Sequence, residues 1–454
     1  MSGAFGRQLP ERRTAVPGPE SRRLAAELAR VESPNITYLS ESFPIFWRDA
    51  KGANVRDVDE NVYVDLTAAF AVAGTGHGHP AVVDAVREQA ARLLHGMGDV
   101  HPPEIKVALL RRLATIAPGP LNRSILANSG AEAVEAAIKT VAVATGKPRV
   151  LAFEGSYHGL TLGALSASGR DDFRRPFLRQ LSDVAAFAPF PYPYRSPFGE
   201  DPEATSALRL VERVLDGPEG ENIGAVLVEP IQGRGGDIVP PDKWLPGLRR
   251  ICDERGLLLV LDEIYTGFGR TGRWFACEHW GVTPDLLVVG KALTSGLPFA
   301  ACIGTDAVME AWPRSTGEAL HTSTFLGHPL ACAAALASIR VIEEERLVER
   351  SETEGAYLMG RLKALFQAHP RVGEIRGAGM MIGLELVRDR GTREPDAALT
   401  AHVMRESLQR GFLVLGGGIH SNVLSLSPPL MIERVQTDAF LDMLRGVLGE
   451  VGPS

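Results

Sequence analysis

Residues 258–272 read LLVLDEIYTGFGRTG: an apolar run, two carboxylates (Asp262 and Glu263), then glycines in the pattern G-x-G-x-x-G at 267–272. An apolar strand followed by such glycines is the sequence form of a dinucleotide-binding turn, in which backbone amides cradle a pyrophosphate. Here the two carboxylates stand between strand and glycines, where they would repel that pyrophosphate. The rest of the chain decides between a phosphate loop and a plain turn.

From about residue 70 to 330 the chain alternates helical periodicity with short apolar runs: RSILAN (123–128), RVLAFEG (149–155), GAVLVEP (224–230), GLLLVLDE (256–263) and PDLLVVG (284–290). Runs that are apolar on both faces and separated by helices predict an α/β architecture with a mostly parallel sheet. FWRDAKGANVRDVDENVYVDL (46–66), with turn signals between short alternating runs, predicts a small meander. After PLACAAALASIRVIEEE (329–345) the texture shifts to a long amphipathic segment, EIRGAGMMIGLELV (374–387), another helix, FLVLGG (412–417) and VLSLSPP (423–429), which predicts a smaller α+β unit. The expected division is an N-terminal segment over 1–68, a large domain over 69–330 and a C-terminal small domain over 331–454.

With 48 Lys plus Arg against 55 Asp plus Glu, the net charge of −7 offers no general attraction to nucleic acid or an anionic membrane. No apolar run approaches the roughly eighteen residues that span a bilayer, and residues 1–23 carry no apolar signal core, so they are expected to be a flexible lead-in. The four cysteines (252, 277, 302 and 332) form no C-x-x-C pair and predict a reducing, cytoplasmic setting. His77 and His79 of GHGHP have no further ligand at metal spacing, and no metal site is expected.

In open α/β sheets ligands bind beyond the carboxyl ends of the strands. PDLLVVG is followed directly by Lys291, an amine that desolvation would shift toward the neutral, nucleophilic form, although a lysine there could equally cap the strand at the surface. Asp262 ends the preceding strand, where a carboxylate can hold a ring nitrogen protonated. That is what pyridoxal phosphate needs from its site. NSGAEAVEA (128–136) offers Ser129 as a helix cap and Gly130 and Ala131 as amides at the positive end of a helix, a home for a phosphate. Ser129 and Glu132 at that spacing could also be a simple capping box.

Taken in order, GHGHP, NSGAEAVEAAIK, YHGLTLGALS, VEPIQG, LDEIYTGFGRTGRWFACEHWGVTPDLLVVGKAL and STFLGHPLACAAA resemble the class III aminotransferases, the ornithine and 4-aminobutyrate group of fold type I pyridoxal-phosphate enzymes, over roughly residues 40 to 450. In that family GFGRTG is a structural turn after the aspartate strand. The resemblance implies that Lys291 forms a Schiff base with the cofactor and that Asp262 pairs with its ring nitrogen. Tyr157 and Ile264 would lie on the two faces of the ring, with His158 beside them. Ser129, Gly130 and Ala131 would hold the phosphate together with Thr324 from a neighbouring subunit, which implies a homodimer. Glu229 would be an acceptor near the ring or a purely structural group.

Three positions depart from the family pattern. Tyr265 stands where glutamine is usual, Arg234 follows VEPIQG where many members carry an acid, and Ser425 occupies the place of a carboxylate-binding arginine. The expected activity is transfer of an amino group between an amine or amino acid and an oxo acid. Racemisation or epimerisation, decarboxylation and a non-catalytic cofactor-binding role remain open alternatives, and Arg234 and Ser425 are the candidate substrate residues.

Overall fold

The computed structural model describes residues 4–196, 199 and 201–450. Its first three strands, β1 (Trp47–Lys51), β2 (Asn54–Asp57) and β3 (Val62–Asp65), form the antiparallel meander. The chain before it is docked, which corrects the flexible lead-in expected from Ala4 onward. The side chain of Asn54 accepts from the amides of Gly6 and Gln8, and that of Asn61 from Arg13 and Thr14. Asp59 accepts from Glu20 and Ser21 at the start of the helix Pro19–Val31. These acceptors lie some forty residues away in sequence, so local composition could not reveal them.

The central sheet contains β4 (Leu121–Ala127), β5 (Arg149–Phe153), β6 (Ala185–Ala188), β7 (Ile223–Val228), β8 (Leu258–Asp262), β9 (Leu286–Val289) and β10 (Ala300–Thr305), in the order β4-β10-β9-β8-β7-β5-β6. All neighbours are parallel except at β10, which runs antiparallel to both β4 and β9. β5, β7 and β9 are buried throughout, as the unbroken apolar runs require. Sequence patterning does not reveal β6 (AAFA) or β10 (AACIGT), because alanine and glycine carry little strand signal. Both gain their place from pairing with recognised strands.

A third, antiparallel sheet joins β11 (Val372–Ala378), β12 (Met381–Leu386), β14 (Leu415–Gly417) and β15 (Val423–Leu426) in the order β11-β12-β15-β14. The two-residue β13 (Phe412–Leu413) lies parallel to β3 and ties this part of the chain to the N-terminal meander. Among the described residues no helix is long and apolar enough to cross a membrane, and no group of three His, Cys, Asp or Glu side chains could hold a metal ion. The two histidines of GHGHP diverge: His77 bonds Asp65 at 2.7 Å and His79 bonds Glu345 at 2.9 Å.

Candidate active site

β8 and β9 are neighbours with Asp262 opposite Val288, so Asp262 and the Gly290–Lys291 turn emerge side by side at the carboxyl end of the sheet. Lys291 takes a left-handed backbone (φ 44°), a conformation that costs energy for a side-chain-bearing residue and recurs at functional positions. Its Nζ sits 4.8 Å from the centroid of the Tyr265 ring. Burial pushes the amine down to about 8, against the attraction of Asp262 and Glu229 and helped by the positive charge of Arg234.

The two carboxylates that interrupt the strand–glycine pattern point to different tasks. Asp262 Oδ2 is 2.7 Å from His158 Nδ1 and Oδ1 accepts from the Ile264 amide at 3.1 Å. For His158, burial opposes a proton, but its bond to Asp262 and the charges of Asp262 and Glu229 prevail and raise its affinity for one. Among the described residues its Nε2 has no partner. Glu263 turns away and accepts from Thr266 Oγ1 (2.8 Å), the Ala276 amide (2.6 Å) and the Cys277 amide (2.9 Å). The glycines at 267–272 are the buried turn that these bonds pin.

At the far side of the floor, Ser129 caps the helix Gly130–Thr145 by accepting from the Glu132 amide at 3.2 Å, while the Glu132 carboxylate reaches back to Asn128. The first amides of a helix lack intrahelical acceptors, which leaves those of Gly130 and Ala131 available to an anion. Gly130 is tight against Ile264: a Cβ there would lie 2.8 Å from Ile264 Cδ1.

The facing wall is built on Glu229, whose two oxygens accept from the amides of Tyr157 (2.9 Å) and Gly233 (3.0 Å). Burial raises its pKa. These bonds bring the YHG segment and the Arg234 loop together. The exposed Arg234 guanidinium lies 5.4 Å from the ring centre of Tyr157 and 5.8 Å from that of Phe173, so among the described residues it rests on aromatic faces rather than on an acid. Tyr265 OH is 3.5 Å from Ser425 Oγ on β15.

A single cleft of about 280 Å³ is thus lined by Gly130, Ala131, Tyr157, His158, Glu229, Arg234, Asp262, Ile264, Tyr265 and Lys291, with Gly159 and Leu160. Ser129 stands beside it as a cap, and Ser425 behind Tyr265. Thr324 lies outside this lining: it is exposed, and its neighbour Ser323 accepts from Asn128 Nδ2 at 3.0 Å. Motif reading missed Phe173, which supports Arg234, and Asp237, a buried acid three residues beyond it. A carboxylate inside the otherwise apolar GGDIVPP was the available signal.

The family profile described as aminotransferase class-III matches residues 37–448. The chain belongs to the class-III aminotransferases. This aminotransferase is 38% identical to the 4-aminobutyrate aminotransferase of Mycobacterium leprae, over 96% of its own length and 97% of the relative's. It is equally 38% identical to the leucine/methionine racemase of Thermococcus litoralis, over 90% and 91% of the two chains. Among solved structures, the (S)-enantioselective omega-transaminase of Thermomicrobium roseum superposes with a TM-score of 0.88 at 31% identity, covering 95% of this enzyme and 98% of that chain.

Proposed function

We propose that the enzyme uses pyridoxal phosphate, held by Lys291, to move an amino group between a carboxylate-bearing amine or amino acid and an oxo acid. The observation that carries this reading is the adjacency of a desolvated lysine and a histidine-paired aspartate at neighbouring strand ends, beside a helix N-terminus. These groups fit the cofactor: an amine lowered to about 8 to bind it, a fixed carboxylate for the ring nitrogen and free amides for its phosphate. When bound, the cofactor supplies an electron sink that stabilises the carbanion left when the amine-bearing carbon loses its proton.

The chain's own residues do the rest. Asp262, oriented by His158, would hold the proton on the ring nitrogen. Tyr157 and Ile264 would confine the ring, and Ser129, Gly130 and Ala131 would take the phosphate. Lys291 would be the base that takes the proton from the amine-bearing carbon and redelivers it. Glu229 fixes the wall through two amides, and Arg234 receives a substrate carboxylate.

The enzyme is further proposed to work as a homodimer. Thr324 is exposed beside two outward apolar side chains, Phe325 and Leu320, 54% and 74% exposed, as expected for a surface that a second copy covers. Sedimentation at decreasing concentration should show dissociation and loss of activity together; a fully active monomer would exclude a shared site.

Racemisation is the second reading, favoured by the equal identity to the leucine/methionine racemase. A panel of amines and amino acids, incubated with the loaded enzyme without any oxo acid, separates the two. An aminotransferase stops after one stoichiometric amino transfer to the cofactor, whereas a racemase inverts chirality catalytically.

A further inference from the structure

Behind the Tyr265 side of the cleft lies an acid with no assigned role. Asp237 is wholly buried, and among the described residues neither of its carboxylate oxygens forms a hydrogen bond of normal geometry, although the Ser425 hydroxyl is close enough to act on it. Its backbone is left-handed (φ 51°), held by its amide donating to the Gly233 carbonyl at 3.0 Å. The chain therefore keeps a poorly paired polar group in a strained position, which is costly unless the group has work to do. Its Cβ packs 3.1 Å from the place a Cβ on Gly383 would take, and Gly383 pairs with Ser425 across the sheet. Ser425 in turn meets the phenol of Tyr265. Asp237 thus packs against the residue paired with Ser425, and Ser425 against the cleft residue Tyr265.

We propose that Asp237 is a positioning residue that sets the direction of the Ser425–Tyr265 hydrogen bond, and so decides whether the Tyr265 hydroxyl donates into the cleft. The inference rests on Tyr265 lining the cofactor site. Each hydroxyl has one proton to give. If Asp237 is anionic it draws the Ser425 proton, and Ser425 can only accept from Tyr265, turning the phenol away from the cleft. If Asp237 is neutral its own proton goes to Ser425, whose proton goes to the Tyr265 oxygen. The phenol proton is then released from Ser425. Ser427, which donates to the Thr67 carbonyl at 3.1 Å, can still accept it, but an anionic oxygen of a bound ligand is the stronger acceptor.

The surroundings support the neutral form. Burial pushes Asp237 up to about 7, opposed by the Ser425 hydroxyl and by Arg376 and assisted by the nearby charge of Glu229. Arg376 is itself engaged, donating to the Gly236 carbonyl and pairing with Glu374 and Glu385, so it does not neutralise Asp237 by direct contact. Glu229 is likewise held by two amides, and Tyr265 remains a phenol because burial raises its pKa. A neutral amide at 237 would mimic the protonated acid at every pH. Asparagine and glycine both tolerate left-handed backbone, so Asp237→Asn and Asp237→Gly test the group without adding strain.

The experiment measures pyridoxal-phosphate affinity of the apo protein from about pH 6 to about pH 9 for wild type, Asp237→Asn, Asp237→Gly and Tyr265→Phe, with infrared spectra of the apo proteins. Wild type should lose roughly tenfold or more, the worth of one hydrogen bond to a charged group, in a step centred near 7. Asp237→Asn should keep the low-pH affinity and lack that step. Asp237→Gly and Tyr265→Phe should bind weakly throughout, also without it. A protonated-carboxyl band present in wild type at pH 6 should vanish in Asp237→Asn. Identical pH profiles for wild type and Asp237→Asn, Asp237→Gly matching Asp237→Asn, or no such band overturns the proposal. Failure of wild type to bind the cofactor at all would instead overturn the reading of the cleft on which it rests.

Discussion

Asp262 in the cleft and Asp237 behind it are both buried aspartates, yet their surroundings are opposite. On the floor, Asp262 has both oxygens engaged, by His158 Nδ1 and the Ile264 amide, and the two strands that present it and Lys291 are packed on all sides. On the other side, among the described residues, Asp237 behind the wall has neither oxygen in a hydrogen bond of normal geometry and Arg234 in the wall lies on two rings without an acid partner. A satisfied network is rigid and suits an invariant ligand such as a cofactor. An unpaired guanidinium such as that of Arg234 suits ligands that come and go, so under the proposed function the wall is where substrates would be selected.

The largest expected effect tests the floor. Lys291→Ala should reduce turnover by at least about a thousandfold, because both the attachment point and the proton-transferring base are lost. Borohydride reduction of the loaded wild-type enzyme should fix the cofactor to the peptide containing Lys291, and retention of turnover in the variant would remove the floor from the chemistry.

Next come the adjacent carboxylates. Asp262→Asn should cost roughly a hundredfold or more in kcat with little change in melting temperature, since the loss is of charge directed at the reacting system. Glu263→Gln should do the reverse, lowering stability by about 1–3 kcal/mol by weakening acceptors for three buried donors while kcat holds. Equal effects on both observables in both variants would erase the distinction.

The wall should respond more modestly and selectively. Once a bound substrate covers Arg234, its bond to a carboxylate is worth about 1.5–3 kcal/mol, so Arg234→Ala should weaken kcat/KM for carboxylate substrates roughly 10- to 100-fold. An amine without a carboxylate should be spared. The same small loss for both would show that Arg234 does not read the substrate.

The remaining effect is on stability alone. Lys291 titrates at about 8 in the folded protein against an ordinary 10.5. Between those values the unfolded chain binds more protons, so stability of the apo protein rises with pH across that window, and the cost of burying the ammonium is fully present below it. Lys291→Met should therefore be more stable than wild type near pH 7 in urea titrations, with the advantage shrinking toward about pH 10. A constant difference would mean that Lys291 keeps its ordinary pKa.

The chain by itself determined a good deal of this enzyme. Unbroken apolar runs identified β5, β7, β8 and β9, because strands buried on both faces cannot carry polar residues, and a reactive side chain at the end of such a run has nowhere to go but the ligand edge. The positions of Lys291 and Asp262 were legible for that reason, the Ser129 cap from its spacing to Glu132, and GFGRTG could be set aside once the ordered motifs resembled a family in which it is a structural turn. Tertiary structure alone decided the remainder, since burial and partnership are properties of space. β6 and β10 exist through pairing, the first residues dock through Asn54, Asp59 and Asn61, and Asp262 differs from Glu263 only in which way each side chain turns. Asp237 gives the sharpest case. It reads as one more loop acid in sequence, and only folding removes its water and leaves Ser425 as the hydroxyl beside it, which is what converts it into a group whose protonation can matter.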